Sequence, residues 1–235
     1  MGSLSRVGII PARLHSTRFP KKILADIHGK PMVVRTADQV SKCSKLDRVI
    51  IAIDSEETYE AIKEFNYDMV MTSVEHKSGT DRVAEVIEGL HDVGVVINIQ
   101  ADEPFINPDL IDRLVESHLD PEIEMSTLVS TQMPAKDYDN ESVVKVFLDE
   151  DNFAIDFKRK SISKYKHLGI YGFTKKALLD FVSLEQTANE KSRNLEQMRA
   201  IDNGIKIKSV LTSEDFLSIN TLEDLLHTYR EGNIC

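Results

Sequence analysis

The sequence is poor in cysteine, with only Cys43 and Cys235 among its 235 residues. Two cysteines are too few for a disulfide framework or a cysteine-based zinc site. Long apolar runs are also missing, since none approaches the roughly 18 to 20 residues of a membrane-spanning helix. A strand pattern begins near Arg6, so we expect no signal peptide. These absences predict a cytoplasmic protein with no membrane partner.

Several short motifs of common enzyme classes are absent as well. No GxGxxG follows the first strand pattern, which argues against a dinucleotide-binding fold. No GxxxxGK[ST] occurs, which excludes a P-loop enzyme. GxSxG and HExxH are missing too, so nothing points to an α/β-hydrolase or a zinc protease.

Positive charge is scarce overall but concentrated near the amino terminus. The chain has a formal net charge of −10, whereas residues 1–35 contain seven basic residues and one acidic residue. The loop after the first strand carries Arg13, Arg18, Lys21 and Lys22. Such a loop is often only solvated surface. On an acidic chain that repels nucleic acid, it favours a site for one anionic ligand.

Apolar runs alternate with amphipathic segments as far as residue 118, which predicts a mostly parallel sheet with helices on both faces. We expect Pro11 to end the first strand, because proline lacks the N–H of the ladder. The β-rich middle predicts an antiparallel addition to this α/β fold. The expected strands are 7–10, 48–53, 68–71, 94–99, 125–131, 143–148, 153–157, 168–173 and 205–211, and the helices are 32–42, 56–65, 78–90, 108–118, 174–182, 190–202 and 221–229.

Asp102 follows the apolar strand 94–99, at the edge where open α/β sheets bind ligands. A carboxylate there, opposite a basic loop, suits Mg²⁺ bound to phosphate oxygens, although an Asp can equally cap a turn. Ser78-Gly79-Thr80 opens a helix whose N–H groups can bind a phosphate or a base carbonyl. These residues predict an α/β enzyme that binds a nucleotide phosphate with Mg²⁺.

Two later segments are less specific. Arg159, Lys160 and Lys164 form a second basic cluster before HLGIYGF, whose histidine is more often structural than catalytic. Glu196 is expected within the helix 190–202, one turn from an arginine on either side. A surface salt bridge is the simpler interpretation there, worth under about 1 kcal/mol.

Several segments, in the right order, resemble the 3-deoxy-manno-octulosonate (Kdo) cytidylyltransferases, a family of sugar nucleotidylyltransferases. IIPARLHSTRFPKK resembles the family's IIPAR-x-x-S-T-R-x-P-G-K loop, and HKSGTDRVAEV its H-x-S-G-T-E-R-x-A-E-V helix start. NIQADEPFI, VVKVFLDEDNFAIDFKR and HLGIYGF, with the LEQMRAIDNGIKI run, resemble later family segments. The resemblance implies one nucleotidylyltransferase domain over residues 1–235, Rossmann-like and of the nucleotide-diphospho-sugar transferase type. It also implies that the β-rich subregion 125–173 binds the sugar and forms a homodimer.

The resemblance implies transfer of CMP from CTP to an acidic eight-carbon sugar, with Mg²⁺ and release of pyrophosphate, for lipopolysaccharide biosynthesis. Arg13, Lys22 and Asp102 are the implied catalytic residues, and Asp102 and Asn220 the implied metal ligands. The implied nucleotide-binding residues are Ala12, Arg13, Ser16, Thr17, Lys22, Ser78, Gly79, Thr80 and Arg82, and those for the sugar are Gln100, Arg159, His167, Tyr171, Glu196 and Gln197.

The chain departs from the family pattern at three places. Asn220 stands where the family has a metal-binding Asp, Lys21 stands where it has Gly, and Ser161–Lys166 replaces a longer family stretch. Two of these departures concern the sugar side, so we expect an altered sugar, and the 8-amino-3,8-dideoxy form of Kdo is a plausible one. An amide oxygen can still bind Mg²⁺, but it brings no charge.

Two alternatives stay open at this point. The first is CMP transfer to another acidic sugar, such as a nonulosonic acid. The second is a nucleotide-sugar-binding homologue that has lost catalysis, with Asn220 as the lesion. A glycosyltransferase ranks lower, because Asp102 and Glu103 are adjacent rather than spaced as D-x-D.

Overall fold

The computed structural model describes residues 4–16 and 19–231. These residues form strands β1 (Ser5–Ala12), β2 (Asp26–Ile27), β3 (Lys30–Pro31), β4 (Arg48–Ile53), β5 (Asp68–Met71), β6 (Val93–Asn98), β7 (Met125–Ser130), β8 (Lys145–Leu148), β9 (Phe153–Lys158), β10 (Lys166–Thr174) and β11 (Ile207–Thr212). The α-helices are α1 (Met32–Val40), α2 (Glu56–Ile62), α3 (Gly79–Glu88), α4 (Pro108–Ser117), α5 (Ala135–Tyr138), α6 (Lys175–Ser183), α7 (Ala188–Arg193), α8 (Met198–Asp202) and α9 (Leu222–Glu231). Two short 3-10 helices lie at Lys22–Leu24 and Lys63–Phe65. Within the described ranges, no helix is long and apolar enough to cross a membrane.

The chain divides into two compact units, Met1–Asp112 with Phe216–Cys235, and Arg113–Asp215. Four strands of the first unit pair in the order β5-β4-β1-β6, and each of these pairs is parallel. The short strands β2 and β3 form a separate antiparallel hairpin. Residues Ile50 to Ile53 of β4 are all buried, as expected for strands covered on both faces. Their carboxyl ends share one edge, which is where the loops of the first unit emerge.

The second unit has a mixed set of strands. β7 is buried along its whole length and lies between β10, which is antiparallel to it, and β11, which is parallel. β9 pairs antiparallel with both β8 and β11. The expected α/β class is confirmed, with a sheet that mixes parallel and antiparallel strands. The arrangement of helices on both faces, the single domain over 1–235 and the subregion 125–173 stay predictions.

The prediction that Pro11 ends the first strand is wrong, because β1 continues to Ala12. The Ile9 carbonyl accepts from Ile99 N–H on the β6 side of the strand, 3.0 Å away. Pro11, two residues later, faces the same side, where β6 has already ended at Asn98. The missing N–H therefore leaves no ladder bond unmade, which is the circumstance in which strands tolerate proline.

The single helix expected over 190–202 is also wrong. The structure has two helices, α7 and α8, separated by a turn in which Asn194 adopts a left-handed conformation with φ 51°. Asparagine is one of the few residues that tolerate this conformation. Glu196 and Gln197 therefore lie in the turn rather than within a helix.

A turn at His28-Gly29 separates β2 from β3. Both residues have positive φ, 49° and 85°, which is the pattern of a tight hairpin turn between β2 and β3. Helix α9 covers this hairpin, where Tyr229 Oη donates to Asp26. Ile27, Met32, Ile219 and Leu225 form the small apolar core beneath it.

Lys21, which stands where the family pattern has glycine, adopts φ 53° just before the first 3-10 helix. Glycine takes this conformation freely, whereas other L-residues pay about 1 kcal/mol for it. The exposed ion pair of Lys21 with Glu57 offsets little of that cost.

We expect Lys21→Gly to raise the free energy of unfolding by about 1 kcal/mol and the Tm by roughly 2 to 4 °C. Urea unfolding monitored by circular dichroism measures this change. Lys42→Gly is the matched control, because Lys42 is exposed and has no positive φ. A stability gain in the control, or a loss in Lys21→Gly, would contradict the assignment.

Candidate functional site

Three segments of the first unit meet around Gly79, the first residue of α3. A Cβ built on Gly79 would lie 3.2 Å from the Pro11 side chain and 3.7 Å from Gln100 Oε1. Such spacing is tight for any larger residue, so glycine lets the helix start approach the end of β1. The expected nucleotide loop, the helix start at Ser78 and the segment after β6 are thus brought together.

Hydrogen bonds hold this helix start against the end of β6. Asn98 Nδ2 donates to Thr80 Oγ1 at 3.2 Å, and Gln100 Nε2 donates to Asn98 Oδ1 at 3.2 Å. Ser78 is the N-cap of α3 and forms a capping box with Asp81. The capping and bridging roles fix the positions of these polar residues before any ligand is bound.

Lys22 and Asp102, both expected in the catalytic set, contact each other. Lys22 Nζ lies 2.5 Å from Asp102 Oδ2, and both side chains are largely buried. Thr36, which the sequence analysis did not single out, donates to the Ala101 carbonyl at 3.0 Å and anchors the same segment. The ammonium of Lys22 in the basic loop and the carboxylate that follows β6 are therefore in direct contact.

Asn220 lies beside Asp102 through the backbone. Ile219 N–H donates to the Asp102 carbonyl at 3.0 Å, so the next residue is held close to it. The Asn220 N–H donates to Oδ2 of Asp224, which lies in the first turn of α9. Two residues before Asn220, Ser218 Oγ donates to the buried Glu103 at 2.5 Å. The two residues expected to bind the metal are thus neighbours in the folded first unit.

These donors fit a small divalent cation that completes its shell with phosphate oxygens and water. Mg²⁺ is typically held by one or two carboxylates plus substrate phosphates. Asp102 would contribute a carboxylate and Asn220 an amide oxygen, and Asp102 already faces the Lys22 ammonium. Among residues 4–16 and 19–231, no group of three or more His, Cys, Asp or Glu side chains could hold a metal alone.

The rest of the expected nucleotide loop is placed as follows. Ala12 is buried at the end of β1, Arg13 is exposed, and Ser16 is half-buried. Thr17 and Arg18 lie outside the described residues. The exposed Arg13 guanidinium remains accessible to an anionic ligand.

Arg82 is buried rather than exposed. Its guanidinium donates to Asp54 Oδ2 at 3.1 Å, to the Ser73 carbonyl at 3.2 Å and to Thr72 Oγ1. Burial lowers the Arg82 pKa, while Asp54 and Glu85 oppose that shift. Asp54 in turn accepts from the Leu14 N–H at 2.9 Å. The Arg82 side chain therefore reaches the nucleotide loop through Asp54.

Asp54 is a residue that the sequence analysis missed, although a signal for it exists. It directly follows the apolar strand β4, in the same relation that singled out Asp102 after β6. The cap of α2 is the next residue, Ser55, whose hydroxyl accepts from the Thr58 N–H. The Asp54 carboxylate bonds to the backbone of the loop instead, at the Leu14 N–H.

The expected sugar residues lie in the second unit, apart from Gln100, which belongs to the first. His167 and Tyr171 flank a bulge in β10, where Gly169 has φ +74°. Their rings are 5.2 Å apart. The ring of Phe157, a residue of β9, lies 5.2 Å from the His167 ring. A bulge of this kind re-aims side chains along a strand.

His167 is a neutral imidazole held in one tautomer. The Thr127 hydroxyl donates to the Ile170 carbonyl at 2.8 Å, so it accepts from His167 Nε2 at 3.0 Å. Burial lowers the His167 pKa to about 3, which keeps the ring uncharged near neutral pH. Burial, with the Glu196 charge adding to it, also raises the Tyr171 pKa.

Arg159 connects the end of β9 to the turn that carries Glu196 and Gln197. Its guanidinium donates to the Glu141 carbonyl at 3.1 Å and to the Asn194 carbonyl at 3.3 Å. Gln197 is 4% exposed. Arg159 and this turn are thus neighbours, and Phe157 of β9 links them to His167. Lys160, by contrast, pairs with Glu141 at the surface.

The surface salt bridge expected for Glu196 is only a minor contact. Arg199 Nη2 lies 3.7 Å from Glu196 Oε1, whereas Arg199 donates two hydrogen bonds to Glu190 at 2.8 and 2.6 Å. Both side chains of the Arg199–Glu190 pair are 5% exposed. A buried bidentate pair therefore supports the turn from behind.

Lys145 is a further residue that the sequence analysis missed. It is fully buried on β8 and donates to the carbonyls of Asn140, Val143 and Arg159 at 2.8 to 3.1 Å. Burial lowers its pKa, and nearby acidic residues oppose that shift. Its ammonium therefore fixes the backbone at Arg159, one of the expected sugar residues.

Comparisons with known proteins agree with this architecture. Residues 7–207 match the family model described as Cytidylyltransferase. Curated relatives include the 3-deoxy-manno-octulosonate cytidylyltransferase of Trichlorobacter lovleyi, which is 37% identical over 93% of this chain and 95% of the relative. That of Chlorobium limicola is 38% identical over 94% and 95%. The chain belongs to the 3-deoxy-manno-octulosonate cytidylyltransferase family.

Solved structures of this family and of its wider fold are similar to the chain. CMP:2-keto-3-deoxy-manno-octonic acid synthetase complexed with CTP is 29% identical, covers 97% of this chain and 98% of its own, and has a TM-score of 0.89. The 4-diphosphocytidyl-2C-methyl-D-erythritol synthase of Anaerococcus prevotii is 15% identical over 98% and 99%, with a TM-score of 0.66. The second likeness shows the fold alone.

We expect Glu190→Gln to lower the free energy of unfolding by about 3 kcal/mol, because it leaves Arg199 buried without its charge partner. Although burial alone would raise the Glu190 pKa, hydrogen bonds from Arg199 and Gln186 lower it. The stabilisation is therefore present above the ordinary Glu pKa and is lost as pH falls through the lowered value.

Unfolding in urea between pH 7 and pH 3 measures both effects for Glu190→Gln. The matched control is Glu141→Gln, which removes only the exposed pair with Lys160 and should leave stability nearly unchanged. Equal losses in the two variants, or a loss in Glu190→Gln that persists undiminished at pH 3, would show that the buried pair is not the cause.

Proposed function

We propose that this protein transfers the cytidylyl group of CTP to 3-deoxy-manno-octulosonate or a closely related acidic sugar, releasing pyrophosphate for lipopolysaccharide biosynthesis. The observation that carries the proposal is the Lys22–Asp102 pair beside Asn220, within a family of this activity. The sugar's anomeric oxygen bonds to the α-phosphorus as the bond to the β-phosphate bridge breaks. The hydroxyl proton passes to solvent water, and pyrophosphate leaves with the electron pair of the broken P–O bond.

The residues of the first unit are proposed to bind the nucleotide. Arg13 is exposed at the loop after β1 and binds phosphate oxygens, and Lys22 adds a second positive charge. Phosphoryl transfer depends mainly on positioning and charge neutralisation, so cations held in place are the machinery it needs. Ala12, Ser16, Thr17, Ser78, Gly79, Thr80 and Arg82 are proposed to form the surroundings of the nucleotide, and Gln100 to bind the sugar.

Asp102 and Asn220 are proposed to hold Mg²⁺, which would neutralise charge on the phosphates when it is bound. In the second unit, Arg159 supplies positive charge for the sugar carboxylate. His167 and Tyr171 offer neutral hydrogen-bonding groups, because burial keeps both uncharged near pH 7. Glu196 and Gln197 complete the proposed sugar set. The homodimer, the cytoplasmic location and the absence of a nucleic-acid partner stay predictions.

The 8-amino form of Kdo is the more specific proposal for the sugar. Its support is the short connection 159–165 between β9 and β10 and the replacement of a family Asp by Asn220. A nonulosonic acid stays the alternative. A binding protein without catalysis is disfavoured by the retained Lys22–Asp102 pair.

We expect pyrophosphate release from CTP and Mg²⁺ with Kdo or its 8-amino analogue, fastest with the 8-amino form, and none with a sialic acid. A coupled phosphate assay with the three sugars in parallel measures this. Asp102→Asn should reduce turnover by at least about 100-fold, as loss of a charged group at a reacting phosphate does. Asp109→Asn is the control, since Asp109 is an exposed residue in the first turn of α4.

The outcomes of this assay separate the alternatives. A clear preference for plain Kdo would reject the 8-amino proposal, and release with the sialic acid alone would favour the nonulosonic branch. CTP binding without release from any of the three would support the non-catalytic homologue.

We expect Asn220→Asp to bind Mg²⁺ about tenfold more tightly, because it adds a charge beside Asp102. Without the cation, the two carboxylates repel each other and the variant should unfold more easily than the wild type. The measurement is the Tm with and without Mg²⁺ in the absence of substrates. Asn66→Asp, an exposed position before β5, adds the same charge elsewhere. Equal Mg²⁺ shifts in both variants would remove Asn220 from the metal site.

A further inference from the structure

Asp54 and Arg82 form a buried connection from the core of the first unit to the backbone of the nucleotide loop. The Asp54 and Arg82 side chains are 7% and 3% exposed, and their closest atoms are 3.1 Å apart. Thr72, which accepts from Arg82, itself donates to the Ile53 carbonyl at 2.7 Å. Arg82 is thereby anchored to the end of β4 as well as to α3.

The Asp54 carboxylate uses its two oxygens for two different partners. Oδ2 accepts from Arg82, and Oδ1 accepts from the Leu14 N–H at 2.9 Å. Leu14 is 4% exposed and directly follows Arg13. The carboxylate therefore fixes the backbone next to the cation that is proposed to bind phosphate.

Electrostatic interactions also connect Arg82 and Asp54 to the loop that carries Arg13. Arg13 is close enough to Arg82 for its charge to lower the Arg82 pKa, so the two cations repel each other. The negative charge of Asp54, which is paired with Arg82, offsets this repulsion between Arg82 and Arg13. A loop carrying an exposed arginine needs such an anchor to hold one conformation.

We propose that Asp54, held by Arg82, is a positioning residue that fixes the Leu14 backbone and so presents Arg13 to the triphosphate. This inference rests on the proposed function, and it assigns Arg82 a role through Asp54 rather than through direct contact with the base. An isosteric amide tests it well, because asparagine has one acceptor oxygen. The asparagine oxygen can accept a hydrogen bond from the Leu14 N–H or from Arg82, but not from both. Its NH₂ group would then face the other donor.

We expect Asp54→Asn to weaken CTP binding by at least about tenfold, as does loss of a buried charged hydrogen bond that orders a binding loop. Isothermal titration with CTP measures this effect. The KM for the sugar should stay unchanged while the KM for CTP rises. The ¹⁵N-¹H signal of Leu14 should move upfield and lose protection from hydrogen exchange in the variant.

Asp112→Asn is the matched control, because Asp112 also accepts from loop N–H groups, those of Ser44 and Lys45, at 2.9 Å. It should lose similar stability to urea and keep wild-type CTP binding. Arg82→Lys should weaken CTP binding in the same direction, and the double variant Asp54→Asn with Arg82→Lys should be no worse than the poorer single variant.

The outcomes are distinguishable from failure of the proposed function. Wild-type protein that binds no CTP would overturn the proposed function and this inference together. Wild-type binding with unchanged CTP affinity in Asp54→Asn would overturn the inference alone. Equal loss of CTP binding in Asp112→Asn would also overturn it, because the effect would then follow general stability.

Discussion

The parallel pairing of β1 with β4 and β6 is the constraint on which the first unit depends. The carboxyl ends of neighbouring parallel strands lie at one edge of the sheet. The polar residues that follow these strands are therefore brought together, although they are far apart in the sequence. Asp54 follows β4, Asp102 closely follows β6, and the basic loop follows β1. Charges that are far apart in sequence, such as Lys22 and Asp102, therefore meet in one place.

The second unit positions its polar residues by a different means. Its strands are mixed in direction, so no single edge collects the polar residues. A bulge at Gly169, the left-handed turn at Asn194 and the buried Lys145 place them instead. Each device acts on the backbone locally, and the Arg199–Glu190 pair supports the turn from within the unit.

The sequence was most informative where hydrophobic pattern and capping chemistry act locally. The strand at 48–53 and the helix start at Ser78 follow from residues close together in the chain. Pro11 was misjudged because its tolerance depends on where β6 ends, which is a tertiary fact. The helix break at Asn194 was not predicted, because asparagine is a weaker sequence signal of a left-handed conformation than glycine is.

The site divides in the same way. The family resemblance implied roles for Lys22, Asp102 and Asn220, and the fold of the first unit makes them neighbours. Asp54 and Lys145 escaped notice because their partners are backbone groups and a buried arginine, which no short motif encodes. Positions of this kind can be recognised only when the fold is known.

The Lys22–Asp102 ion pair has a consequence for how a ligand would bind at the proposed site. Neither charge is left uncompensated in the free protein, so a phosphate or a cation must replace a partner that is already 2.5 Å away. Binding is then an exchange of ionic partners, and its free energy is the small difference between two similar electrostatic terms. An anion and a cation arriving together satisfy both released groups, whereas either alone leaves one charge without its partner. Coupled occupancy is thus favoured by the resting state of the pair itself.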